Sequence, residues 1–162
     1  MCIDQYSMYL HDDIYRFNLG GIGRENQFDL HQDAQGTGIV RVNNPASFDD
    51  GDYFMWADNN ESHSNWIPNV SPFETKMISR KWQVEEVGTI ESVDVRIALE
   101  TLPENDLEYV LLISTQPDFA KNNKAYKMIL VDDTLTSTID FSDDAYFTII
   151  SANELQIQLI KS

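Results

Sequence analysis

Residues 92–100 read Ser-Val-Asp-Val-Arg-Ile-Ala-Leu-Glu, with Val93, Val95, Ile97 and Leu99 alternating strictly with Asp94, Arg96 and Ala98. This period of two narrows the fold more than any other feature, because successive side chains of an extended chain project to opposite faces and only a half-buried strand needs that spacing. The same alternation recurs near the C-terminus, where Leu155, Ile157 and Leu159 interleave with Glu154, Gln156 and Gln158. Further strands are expected over residues 38–42, 53–57, 77–85, 107–114, 125–131, 135–141 and 146–151, about nine in all. Turn formers separate them: Asn43-Asn44-Pro45, Asp49-Asp50-Gly51, Asp58-Asn59-Asn60, Glu86-Val87-Gly88, Pro103-Glu104-Asn105-Asp106, Asp132-Asp133 and Ser142-Asp143-Asp144. Residues 61–74, with Pro68 and Pro72, read as a long loop. Many short strands without a helical period predict an all-β chain, an antiparallel β-sandwich of jelly-roll or immunoglobulin-like type. With no repeat or linker, residues 1–162 are expected to form a single domain, of which 1–18 are a lead-in segment.

Charge narrows the partners. Eleven Lys and Arg against 27 Asp and Glu give a formal net charge of -16, which repels phosphate backbones and anionic lipid. Nucleic acid is therefore excluded as a partner. No run of apolar residues is long enough for a membrane-spanning helix, so no membrane insertion is expected.

Catalytic signatures are missing from the sequence. Asn18-Leu19-Gly20-Gly21-Ile22-Gly23-Arg24 fits neither nucleotide-loop pattern, and its glycines are expected to permit a tight bend at a strand end. His11, His31 and His63 are scattered, and the lone Cys2 allows neither an intramolecular disulfide nor a thiolate cluster. The chain is expected not to be an enzyme. The alternative is a carbohydrate-active hydrolase using paired carboxylates, although among 27 acidic residues some pair always looks suitable.

Hard oxygen donors, by contrast, are abundant, and Ca²⁺ is the cofactor they would suit. The candidate ligands are Asp49, Asp50 and Asp52 before the strand at 53–57, and Asp58, Asn59 and Asn60 after it. At strand rise the two clusters stand roughly 17 Å apart, so each needs partners from another loop. Ordinary turn capping by the same side chains is the competing reading. In the expected strand 77–85, Arg80 shares a face with Ile78, Trp82 and Val84. A guanidinium on an apolar face needs a carboxylate or several carbonyls, so Arg80 and Trp82 are expected to be structural.

Four segments carry a family likeness: Gly21-Ile22-Gly23-Arg24-Glu25-Asn26 with Leu30-His31-Gln32, then Asp52-Tyr53-Phe54-Met55-Trp56-Ala57-Asp58-Asn59-Asn60, then Arg80-Lys81-Trp82-Gln83-Val84-Glu85-Glu86-Val87-Gly88, and finally Phe141-Ser142-Asp143-Asp144-Ala145-Tyr146-Phe147-Thr148. In that order they resemble an uncharacterised β-sandwich domain of large secreted and surface proteins of Gram-negative bacteria, adhesin-like and gliding-associated ones among them. The resemblance implies a secreted or cell-surface location. It also implies a noncatalytic binding or structural role, such as calcium-dependent adhesion, toward an extracellular glycan or peptide ligand or toward neighbouring domains of a larger protein. It brings no catalytic residues with it. Where an acidic turn belongs in that pattern, this chain has Ser114-Thr115-Gln116-Pro117-Asp118-Phe119, with fewer oxygen ligands.

Overall fold

A computed structural model describes residues 14–70 and 74–161. The larger sheet has nine strands and is antiparallel. Its main path runs β11 (Lys124–Lys127), β10 (Glu108–Ser114), β14 (Tyr146–Ala152), β8 (Trp82–Val87), β5 (Tyr53–Asp58), β1 (Phe17–Asn26) and β2 (Asp29–His31). A hairpin of β6 (Trp66–Val70) and β7 (Thr75–Ile78) joins β14 alongside β8. The smaller sheet runs β12 (Ile129–Val131), β13 (Thr134–Asp140), β9 (Ser92–Ala98), β4 (Val40–Asn43) and β3 (Asp33–Ala34). The two antiparallel sheets pack face to face as a sandwich-like all-β fold.

Alternation builds the core between them. Val93, Val95 and Ile97 of β9 and Leu135 and Ile139 of β13 turn inward to meet Phe54 and Trp56 of β5, Val84 of β8 and Ile149 of β14. Trp82 stacks on Phe147 with ring centroids 5.0 Å apart and 7° between planes. Phe54 and Phe147 each contact Phe141, at 5.4 and 5.6 Å.

The larger sheet is buried on its second face as well. Val110 and Leu112 of β10, Ile150 and Ala152 of β14, Met77 and Ala125 form a second cluster, closed by Ile157 and Ile160. Those two isoleucines belong to α1 (Glu154–Lys161), which replaces the C-terminal strand expected from Leu155, Ile157 and Leu159. The correction has a local cause. The Asn153 side chain accepts the Gln156 N–H and the Gln156 side chain accepts the Asn153 N–H, both at 2.8 Å, a reciprocal cap that starts a helix. Ile157 and Ile160, three apart, then share the buried face while Leu155 and Leu159 are exposed.

Other boundaries also move. The glycines expected to bend the chain lie inside β1, where Gly20 is crossed by the Trp56 indole and any Cβ would overlap the ring. Residues 77–85 divide into β7 and β8, and 125–131 divide at Met128 into β11 and β12, which belong to different sheets. The expected loop 61–74 contains β6, and Pro68 is tolerated there because β6 pairs with β7 alone among the described strands. Of the expected lead-in, residues 1–13 lie outside the described residues, and Phe17 and Asn18 already belong to β1. Among the described residues no helix is long and apolar enough to cross a membrane.

Candidate functional site

The two acidic clusters occupy opposite ends of β5. At its C-terminal end Asp58 is fully buried and accepts two hydrogen bonds from the Asn18 side-chain amide, at 3.0 and 3.1 Å, and one from the Asn60 N–H at 2.8 Å. The Arg80 guanidinium stands 3.4 Å from the same carboxylate, with 11% of its side chain exposed, and donates to the Glu61 carbonyl at 2.7 Å. Arg80 lies in the break between β7 and β8 and not within a strand. Asn59 closes the corner: its side-chain oxygen accepts the Lys81 N–H and its amide donates to the Ser79 carbonyl. Trp82 is 1% exposed and belongs wholly to the core.

At the other end of β5, Arg24 secures the acidic turn. It donates to Asp50 at 2.7 Å and to the Phe48 carbonyl at 2.9 Å, while its own backbone bonds to Asp52 and Gly51. Asp52, 6% exposed, accepts the Asp49 N–H at 2.8 Å. Gly88, at φ +85°, sits so close to the Asp52 carboxylate that any side chain there would collide with it. Beside this turn a cavity of about 280 Å³ is lined by Glu86, Glu91, Asp140 and Asp143. Burial pushes the Glu86 carboxyl up, opposed by the Ile90 N–H that it accepts and reinforced by Asp140, Asp143 and Asp52.

Four of the six candidate ligands therefore face internal partners. Asp52, Asp58 and Asn59 are tied to backbone and side chains, Asp50 is paired with Arg24, and Asp49 and Asn60 are exposed. Among the described residues no three His, Cys, Asp or Glu side chains gather in an arrangement that would hold a metal ion.

A wider cleft than the one beside Glu86 lies elsewhere, at the end of the sandwich where β12 borders the loop between β9 and β10. Its volume is about 840 Å³. Leu102, Met128 and Leu130 supply apolar lining, and Glu100, Glu104 and Asp106 supply an acidic rim. The loop is held in place from several sides. Tyr109 donates its hydroxyl to the Pro103 carbonyl at 2.6 Å, Trp66 donates its indole N–H to the Glu104 carbonyl at 2.9 Å, and His63 Nδ1 donates to the Thr101 carbonyl at 2.6 Å. Burial, with Glu104 nearby, raises the Tyr109 phenol. Sequence reading missed this site because its residues come from distant segments. The signal that could have found it is the unbroken apolar run Ile129-Leu130-Val131 ahead of Asp132-Asp133, which does not alternate as a strand with one solvated face should.

No curated protein and no solved structure matches the chain. A family match covers residues 6–146, which takes in β1 to β13 and both ends of β5. The segments that knit the sandwich together, Arg24 with Asp50 and Asp52, Asp58 with Arg80, and Gly88 against Asp52, all fall inside that span. The chain belongs to the family described as domain of unknown function DUF8202.

Proposed function

We propose that this chain is a noncatalytic binding or structural module of a secreted or cell-surface bacterial protein, with an extracellular peptide or glycan, or a neighbouring domain, as its partner. The cleft beside β12 carries the reading. It is of a size that holds ligands, yet its carboxylates are ill placed for acid catalysis: Glu100, Glu104 and Asp106 are exposed and Glu108 is 3.2 Å from the Lys127 ammonium. A glycosidase acid needs desolvation to stay protonated at neutral pH. The test is a panel of glycoside, ester and peptide substrates. No turnover is expected, and hydrolysis abolished by one Asp or Glu substitution would overturn the reading.

One observation favours a second reading, the hydrolase. Glu86 has a raised carboxyl beside Asp140 and Asp143, as a general acid with a carboxylate partner would. Its cavity, about 280 Å³, is at the small end for a ligand site, and Glu86 already accepts the Ile90 N–H at 2.9 Å. Any hydrolysis found in the panel should be repeated with Glu86→Gln, whose unchanged activity would eliminate this site.

A further inference from the structure

We propose that the cleft beside β12 takes an extended peptide of alternating apolar and basic residues, which pairs along the free edge of β12 as an added strand. This rests on the binding-module reading and names its partner.

The edge is open. Among the described strands β12 bonds to β13 and to no other, and an edge strand leaves every second N–H and C=O without a partner. Sheet edges are commonly protected by shortness, charge, proline or a bulge. β12 has the shortness, at three residues, but Ile129, Leu130 and Val131 are 55%, 51% and 59% exposed. Leu130 lies opposite Leu135 and shares its face, while Ile129 and Val131 lie opposite Thr136 and Thr134 in the other row, and Ile129, Leu130 and Leu135 all line the cleft. An added strand would place its alternate side chains over these two rows.

Charge selects the occupant. Glu100, Glu104 and Asp106 rim the cleft, and Asp132 and Asp133 form the exposed turn after β12. Lys127, the basic residue among those lining the cleft, is already 3.2 Å from Glu108 and 3.8 Å from Glu154. A second copy would bring the same acidic rim, and another net charge of -16, against this one. A glycan would look for an open aromatic face, but Tyr109 is half-buried with its hydroxyl bound to Pro103. A peptide with Lys or Arg at alternate positions supplies apolar contact, backbone pairing and opposite charge together.

The test titrates the isotope-labelled full chain with an octapeptide of alternating Val and Lys, followed by backbone amide NMR. The controls are the same peptide N-methylated at alternate amides and an octapeptide of alternating Val and Glu. Saturable shifts are expected at β12 and the cleft, weakening with NaCl and at least about tenfold with N-methylation or with Leu130→Lys. Phe28→Lys, at a position 89% exposed in the turn after β1, should leave binding unchanged. Equal binding of the Val/Glu peptide, indifference to N-methylation, or no shift with any peptide overturns the proposal. Shifts at the same amides with an oligosaccharide panel instead would remove the peptide and leave the module; cleavage of the peptide during titration would remove the noncatalytic reading itself.

Discussion

Asp58 places a carboxylate where solvent does not reach, and three donor groups answer it: the Asn18 amide, the Asn60 N–H and the Arg80 guanidinium with its spread charge. Deleting the arginine leaves a buried charge with neutral donors alone. Arg80→Met is expected to destabilise the fold by about 3 kcal/mol, measured by denaturant unfolding. Adding Asp58→Asn should recover part of the loss, because the uncompensated charge is then gone. Glu86 presents the reverse situation. Its folded-state carboxyl is raised, so between the unfolded and folded values the native state holds the extra proton and stability falls as pH rises. Glu86→Gln keeps an oxygen for the Ile90 N–H and removes the charge beside Asp140 and Asp143. At neutral pH it is expected to raise the melting temperature by roughly 1 to 2 °C, a figure discounted for solvent screening. That advantage should shrink as pH falls through the raised carboxyl; an advantage that grows toward acid would contradict the assignment.

Among the elements, β9 and β13 were legible because each keeps one face in the core and one toward solvent, so Val93, Val95 and Ile97 print the period directly. The helix α1 was not, because Leu155, Ile157 and Leu159 mimic a strand and the deciding information sits in the cap, Asn153 with Gln156. β1 was hidden for a different reason: Gly20 has no strand propensity, and its presence answers to Trp56 from a neighbouring strand. The cleft was illegible because its walls come from β10, β12 and the loop between β9 and β10, which only the completed sandwich brings together. Asp58 and Arg80 were both singled out in the sequence, but as a metal ligand and a core arginine, and only the fold sets them side by side. The capping box gives a direct test. Asn153→Ala is expected to cost about 1 kcal/mol and to speed amide exchange first in α1 and then in Val110 and Leu112 beneath it. Uniform loss of protection across both sheets would instead mean that the helix does not open separately.

For the molecule as a whole, the net charge of -16 works against compaction, and added salt should relieve it. NaCl is expected to raise the melting temperature. A calcium site would add to this: Ca²⁺ would exceed Mg²⁺ at equal concentration, with a shift that keeps growing above saturation. Equal responses to the two ions, with EDTA neutral, would remove calcium from the reading. Asp52→Asn and Asp58→Asn separate the two acidic ends in the same melts.

The chain passes from β11 in one sheet to β12 in the other with Met128 alone between them. One residue spans a fixed length and has almost no slack, so here the two layers are stitched together and cannot slide or gape independently. A load applied along β12 would pass through that stitch into both layers at once, and the hydrogen bonds from β12 to β13 and from β11 to β10 would share it in shear. A tether seated on this edge would be gripped at one of the least extensible points of the molecule.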